Sequence, residues 1–456
     1  MDYKNILKKI KPEENEKNKV KSVADKIIKV IEEKANEEGY EVKVELTGSI
    51  AKDTWISGSA DIDIFITFPL EVKIEELKER GLQLAYYCNE VLNGIATEQY
   101  ASHPYLKINL NNYSIDIVPA YNIENTSQMK SAVDRTTLHT KYIVKNLKSY
   151  QKDQVLLLKK FMKEIRVYGS EFKTGGFAGY LCELLILNYN SFENTLKEAS
   201  SWMEKTIINI EDYNTTDLFN DNLIVIDPTD KNRNVAASLR EEKLNDFIFA
   251  SRNYIKNPKK DYFTPLEKMK ITKEDIINQF KDRETKTIFI SFKIPDIAVD
   301  NIYPQLKKTS DSLKEKLEEI GFTIVKNSYW SDEEEIAIIT LEFDTWILGG
   351  YEKNIGPKIW YKKASEQFIS IHENVFLENG FLVEKRKRRF KRPEDFIFHV
   401  LKENNIKILK IGKNLKNNIV NGYKLFIMDD NNDILNNELF LDYLDDYLHI
   451  SQHLKR

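Results

Sequence analysis

Residues 48–66 read GSIAKDTWISGSADIDIFI, and this stretch decides how the first part of the chain folds. Asp61-Ile62-Asp63-Ile64-Phe65-Ile66 alternates acidic and apolar residues, the period-two pattern of a strand with one buried face. Asp61 and Asp63 therefore share one face, and Ile62, Ile64 and Ile66 share the other. Carboxylates placed side by side repel unless a cation neutralises them, so the spacing predicts a positive partner there. Upstream, Gly48-Ser49 forms a turn. A short helix is expected from about Ala51 to Ile56, broken by Gly58-Ser59 before the acidic strand.

A third acidic strand residue is Asp116 in YSIDIVPA (113–120), flanked by Ile115 and Ile117. If its strand neighbours the first, three carboxylates converge on one sheet face. Such a hard-oxygen set suits Mg²⁺. Two ions roughly 3.5–4 Å apart can hold the attacking hydroxyl and the leaving phosphate oxygen of an in-line displacement, and Asp116 is then the residue to help activate the hydroxyl. The turn supplies the complementary half. Gly48 lets backbone approach a phosphate, Ser49 offers a hydroxyl, N–H groups at a helix start attract anions, and Lys52 adds positive charge. A lone Asp-Ile-Asp is usually surface charge, and a lone Gly-Ser is usually a helix cap. The combination G-S-x₁₁-D-x-D with a later strand aspartate is far more specific, and it reads as a nucleotidyl transfer site.

The remaining composition narrows the setting. At 456 residues the chain exceeds one simple core, and two to four domains are expected. With 41% hydrophobic and 31% charged residues it has a globular composition, and a net charge of −4 excludes an overall polycation but not a local basic groove. Cys88 and Cys182 are too few for a disulfide scaffold or thiolate metal site, which suits a reducing compartment. The opening MDYKNILKKIKPEENEK lacks a signal-peptide core. The most apolar run, GYLCELLILNY, is too short to span a membrane and carries Glu183. A cytoplasmic protein with no membrane partner is expected.

Periodicity organises the chain into three parts. Residues 1–147 read as a mixed α/β unit: a helix over 19–39 with Val20, Val23, Ile27, Val30 and Ile31 on one face, a strand at 41–46, and a helix through Glu75–Leu92. Strands at 103–110 and 113–120 follow, joined by a turn at Asn111-Asn112. Residues 148–262 read as mostly helical, with helices in 155–169 and 179–192 separated by Thr174-Gly175-Gly176. Residues 263–456 show a β-α-β-β pattern at about 286–345, which suggests a ferredoxin-like unit. A basic run, KRKRRFKR (385–392), and an acidic amphipathic helix near the end complete the chain. The fold class is α+β and multidomain.

Several stretches together resemble a known family. LTGSIAKDTWISGSADIDIFITFP, the HPY at 103–105, SIDIVPAY, SAVDRTTLHTKY, LLKKFMKEIRVYGSEFKTGGFAGYLCELLI and VIDPTDKNRNVAASL follow one another across residues 40–240. The chain resembles the archaeal-type (class I) CCA-adding enzymes, tRNA nucleotidyltransferases of the DNA polymerase beta-like superfamily. The resemblance implies a polymerase beta-like head with a mixed sheet, a helical neck that recognises nucleotide and base, and a C-terminal α/β body with a ferredoxin-like tail. It implies addition or repair of the 3′-terminal CCA from CTP and ATP with Mg²⁺, with the tRNA acceptor arm held by residues 263–456. It leaves room for a homodimer.

Carried over by position, Asp61, Asp63 and Asp116 bind metal, while Gly48, Ser49 and Lys52 meet the triphosphate. His139, Lys159 and Tyr168 correspond to further nucleotide ligands, and Arg233 matches the arginine that reads the base edge. Read alone, His139 is a helix surface histidine, Lys159 a solvated neighbour of Lys160, Tyr168 a core or rim aromatic, and Arg233 a surface arginine. Many relatives carry Glu at position 61 and some carry Arg at 52, while Thr137 and Ala178 replace a usual Pro and Ser. None of these departures removes a metal ligand. A tRNA arm is a polyanion, so Lys385, Arg386, Lys387, Arg388, Arg389, Lys391 and Arg392 are expected to meet RNA phosphates. The rivals are a poly(A) polymerase or small-molecule nucleotidyltransferase, which the later stretches argue against, and a catalytically dead RNA-binding relative. The intact Asp triad argues against the second.

Overall fold

The computed structural model describes the whole chain except residues 101, 112, 267–270 and 429–432. The fold divides into two compact units, Met1–Glu267 with Ser451–Arg456, and Lys268–Ile450.

The first unit opens with α1 (Lys4–Ile10) and α2 (Glu14–Glu37). The long helix buries Val20, Ala24, Ile27, Ile31 and Ala35 along one stripe. It starts five residues before the expected start at residue 19, because Glu14 and Glu16 in its first turn favour the positive end of the helix dipole. Next come β1 (Lys43–Thr47), α3 (Gly48–Lys52), β2 (Asp61–Phe68), α4 (Ile74–Leu92), β3 (Ile95–Tyr100), β4 (Pro104–Leu110) and β5 (Tyr113–Tyr121).

The five strands make one sheet in the order β1-β2-β5-β4-β3. It is mixed: β2 and β5 run parallel, and the other pairs are antiparallel. Ile62, Ile64, Ile66, Ile115 and Ile117 are fully buried in the core that also receives α2 and α4. Two details differ from expectation. The short helix lies at Gly48–Lys52 instead of 51–56, since it starts directly from extended Thr47 and is ended by left-handed Asp53. The edge strand β3, IATEQY, is largely exposed and so shows no apolar alternation. Asn111 is left-handed, as a turn requires; its expected partner Asn112 lies outside the described residues.

The same unit continues through α5 (Arg135–Asn146), α6 (Ser149–Glu164), α7 (Gly179–Tyr189), α8 (Phe192–Ala199), β6 (Thr206–Ile208), β7 (Leu223–Asp227), β8 (Asp230–Asn234) and α9 (Glu241–Lys256). Six consecutive residues of α7, Leu181 to Ile186, are buried, so this stretch has no solvent face, and Asn188 further along the helix is exposed. The first expected helix stops at Glu164, and Tyr168 instead bridges to Phe177 in extended form. The second divides where Asn190 turns left-handed and Ser191 caps α8. The small sheet β6-β7-β8 was hidden by its brevity.

The second unit contains α10 (Lys273–Asp282), β9 (Lys286–Lys293), α11 (Ile302–Glu319), β10 (Thr323–Ser331), β11 (Ile336–Thr345), β12 (Tyr351–Lys358), α12 (Lys362–Ile371), β13 (Val375–Glu378), β14 (Phe381–Lys387), α13 (Pro393–Val400), α14 (Leu415–Asn421), β15 (Tyr423–Ile427) and α15 (Glu438–Leu448). The order β10-β11-β9-β15, antiparallel throughout, is the ferredoxin-like arrangement. Its fourth strand arrives only after an inserted sheet, β12-β14-β13. Ile288, Ile290 and Phe292 face a core containing α11 and α13, while Phe289 faces α10 and α15. Burial on both faces explains the consecutive apolar residues Ile288-Phe289-Ile290.

Candidate active site

Strand register brings the carboxylates together. Asp63 on β2 stands opposite Asp116 on β5, and Asp61 lies two residues earlier on the same face. Asp61 is exposed, whereas Asp63 and Asp116 are half-buried. Burial pushes the Asp63 carboxyl up to about 7, helped by the negative charges of Asp116 and Asp61 and opposed by Lys52 and Lys107. Asp116 is raised by burial too, against the pull of Lys107, its cross-strand partner on β4. One Asp116 oxygen, Oδ1, is buried without a hydrogen-bond partner. This orphaned oxygen belongs to the sheet face that also carries Asp61 and Asp63, and three carboxylates supply oxygen donors of the kind a hard divalent cation takes. Among the described residues no group of three or more His, Cys, Asp and Glu side chains is arranged to hold a metal ion.

The turn before α3 abuts this face. Gly48 adopts φ +68°, and a Cβ added there would lie 1.9 Å from Asp63 Oδ2. Glycine is required twice over, by conformation and by contact. Ser49 follows, half-buried.

Lys52 and Lys159 are both buried and share one acid. Lys52 Nζ donates to Glu183 Oε2 at 2.6 Å, and Lys159 Nζ lies 3.5 Å from Oε1. Thr54 Oγ1 donates to the same carboxylate at 2.6 Å, and Lys159 donates to the Thr54 carbonyl at 2.9 Å. Burial alone would raise the Glu183 carboxyl, but the two ammonium groups hold it below its ordinary value. Lys159 is therefore not the solvated lysine that its neighbour Lys160 suggested. The apolar run on α7 keeps its one acid because two buried cations need it.

His139 is likewise no surface histidine. Its ring stacks on Tyr180 at 3.9 Å, and Nε2 lies 2.8 Å from Asp227 Oδ2. Burial lowers its pKa despite Asp227. Arg233 Nη1 donates to the same Asp227 oxygen at 2.9 Å. Tyr168 is half-buried, and burial drives its hydroxyl above the normal range. Its hydroxyl and Lys159 Nζ converge on Gly179, where an added Cβ would lie 3.2 and 3.5 Å from them. Sequence reading missed Glu183, Asp227 and Tyr180 as members of this cluster. The signal available was a lone acid in an apolar helix, since such a residue must be paired.

The basic run lies in the second unit and is described by itself. Lys385, Arg386, Lys387, Arg389, Lys391 and Arg392 are exposed. Strand alternation sorts them: Arg386 and Arg388 both bond Glu352, at 2.8 and 2.9 Å, and Arg388 also donates to the Ile320 carbonyl. Those two arginines serve the fold first.

Comparison with known proteins agrees along the whole chain. Residues 24–139 match the nucleotidyltransferase domain, 153–264 the second domain of tRNA nucleotidyltransferase, and 283–428 the C-terminal domain of CCA-adding enzyme. The chain is 42% identical to the CCA-adding enzyme of Methanothermobacter thermautotrophicus, over 100% of this chain and 99% of that protein. It is 35% identical to that of Methanosarcina acetivorans over 92% of each, and 35% identical to that of Saccharolobus islandicus over 84% and 88%. Identity at this level from end to end reflects common descent, and the chain belongs to the CCA-adding enzyme family of tRNA nucleotidyltransferases.

Proposed function

We propose that this chain adds or repairs the 3′-terminal CCA of tRNA. It transfers CMP, CMP and AMP in turn from CTP and ATP, without a nucleic-acid template, and releases pyrophosphate. The observation that carries this reading is the register of Asp63 against Asp116, with Asp61 on the same face and the Gly48 turn against Asp63. The reaction forms a bond from the RNA 3′-oxygen to the α-phosphorus and breaks the bond from that phosphorus to the pyrophosphate oxygen.

The nucleotidyltransferase family depends on divalent metal, and we take the ion to be Mg²⁺, held by Asp61, Asp63 and Asp116. Bound there, it supplies charge neutralisation and polarises the reacting oxygens. Asp116 helps accept the proton of the attacking hydroxyl. Gly48 and Ser49 cradle the triphosphate, Lys52 and Lys159 balance its charge from beneath, and His139 and Tyr168 flank the nucleotide. Arg233 presents a planar fork of donors to the base edge. Selection between C and A then rests on hydrogen bonds that only the right base completes.

The division of labour follows: residues 1–147 form the catalytic head, 148–262 the neck, and 263–456 the body and tail that hold the acceptor arm. Lys385, Lys387, Arg389, Lys391 and Arg392 grip RNA phosphates, with Arg386 and Arg388 contributing through the strand they stabilise. Among the described residues no helix is long and apolar enough to cross a membrane, and we place the enzyme's work in the cytoplasm.

The test uses tRNA ending before CCA, Mg²⁺, and CTP and ATP singly and together. Two C and then one A are expected, with Asp63→Ala abolishing incorporation while tRNA affinity persists. Untemplated A runs or no extension would overturn the reading. Loss of RNA affinity as severe as the loss of activity in Asp63→Ala would overturn the catalytic assignment.

A further inference from the structure

One buried carboxylate in the first unit gathers donors from α5, α7, β8 and the turn that follows β7. Asp227, the last residue of β7, has no exposed side-chain surface. Its Oδ2 accepts from His139 Nε2 at 2.8 Å and Arg233 Nη1 at 2.9 Å. Its Oδ1 accepts from the Tyr180 hydroxyl at 3.1 Å, the Thr229 amide at 2.9 Å and the Thr229 hydroxyl at 2.8 Å. Five donors exceed what a carboxylate needs merely to be buried, and two of them belong to side chains proposed to meet the nucleotide.

The geometry leaves the other ends of those groups free to work. The Arg233 side chain keeps 32% of its surface although Nη1 is tied to a fully buried atom. Its remaining donors stay in a fixed plane. His139 is pinned twice, by Nε2 on Asp227 and by stacking on Tyr180 with planes 15° apart, which leaves Nδ1 as the ring's other hydrogen-bonding atom. A fork held at one end loses less freedom when the other end binds, and a base edge is then read by donors in one orientation.

We infer that Asp227 is a specificity-determining positioning residue, whose carboxylate holds Arg233 and His139 in the orientation that selects the incoming base. This rests on the assignment of those two side chains to the nucleotide. Asp227 itself touches no reacting atom. It acts through Arg233 above all, because that guanidinium is the more exposed of the two.

A double-mutant cycle in the full-length enzyme tests this. Asp227→Asn, Arg233→Ala and the double variant are compared by kcat/KM for CTP on tRNA lacking CCA and for ATP on tRNA ending in CC. The fraction of wrong nucleotide incorporated is measured alongside. Each single variant is expected to lose roughly tenfold or more and to raise misincorporation, while the double stays within about threefold of Arg233→Ala alone. A purely structural Asp227 would lower thermal stability and total activity but leave the ratio of right to wrong nucleotide unchanged.

If Asp227→Asn does not fold, Asp227→Glu keeps the charge for all five donors while moving it by one methylene, and the same loss of discrimination is expected. Multiplying effects, or an unchanged ratio alongside a clear Arg233→Ala defect, overturns the inference alone. An Arg233→Ala variant that adds C, C and A normally overturns the inference together with the base-reading role of Arg233.

Discussion

Replacing Gly48 by alanine separates catalysis from folding. The new Cβ would sit 1.9 Å from Asp63 Oδ2 and 2.8 Å from Asp63 Cγ. A real contact needs about 3 Å, so the carboxylate must retreat by roughly 1 Å, a misplacement on the scale that costs about 100-fold in rate. The backbone adds strain, because φ +68° is left-handed and costs an L-residue about 1–2 kcal/mol. At about 2–4 °C per kcal/mol the unit melts a few degrees lower yet stays folded at assay temperature. Single-turnover incorporation of labelled CMP onto tRNA lacking CCA should fall about 100-fold while tRNA affinity is unchanged. Wild-type incorporation by Gly48→Ala would refute the reasoning, since Asp63 would then not be working where the turn holds it. Loss of tRNA affinity in step with incorporation would refute it as well.

Three further outcomes follow from the same structure. Glu183→Gln leaves Lys52 and Lys159 buried without their counter-charge and should cost about 3 kcal/mol of stability; a melting temperature equal to wild type would show that the ammonium groups are not buried as described. Lys326 lies 3.9 Å from the centre of the Tyr447 ring, and burial pushes its ammonium down to about 8, partly offset by Glu342. Its folded pKa is below the unfolded value near 10.4, so the unfolded chain binds more protons between pH 8 and 10.4 and stability rises with pH there. The melting difference between wild type and Lys326→Met should shift in favour of wild type by about 1 kcal/mol, after solvent screening, as pH climbs through that window; a constant difference opposes the assignment. Replacing Lys385, Lys387, Arg389, Lys391 and Arg392 by serine should weaken tRNA binding and flatten its salt dependence, whereas Arg388→Ser should lower stability because the Ile320 carbonyl loses its side-chain donor and Glu352 keeps only Arg386. Unchanged affinity for the five-fold variant would remove that patch from RNA binding.

Local periodicity by itself determined four strands of the first sheet, the long helices in outline and the common face of Asp61 and Asp63, because side-chain direction along a strand is set by backbone pleat and needs no distant partner. The β-α-β-β pattern was legible for the same reason, but the fourth strand, β15, was not, since it pairs with β9 from beyond an inserted sheet. Only the tertiary structure decided that β2 and β5 are parallel neighbours with Asp63 facing Asp116. Only it decided which acids answer which cations. Lys52 and Glu183 are 131 residues apart, and His139 and Asp227 are 88 apart. Sequence spacing holds no trace of such pairs. They exist because burying an ionised side chain is costly without an opposite charge, and packing selects where that charge comes from.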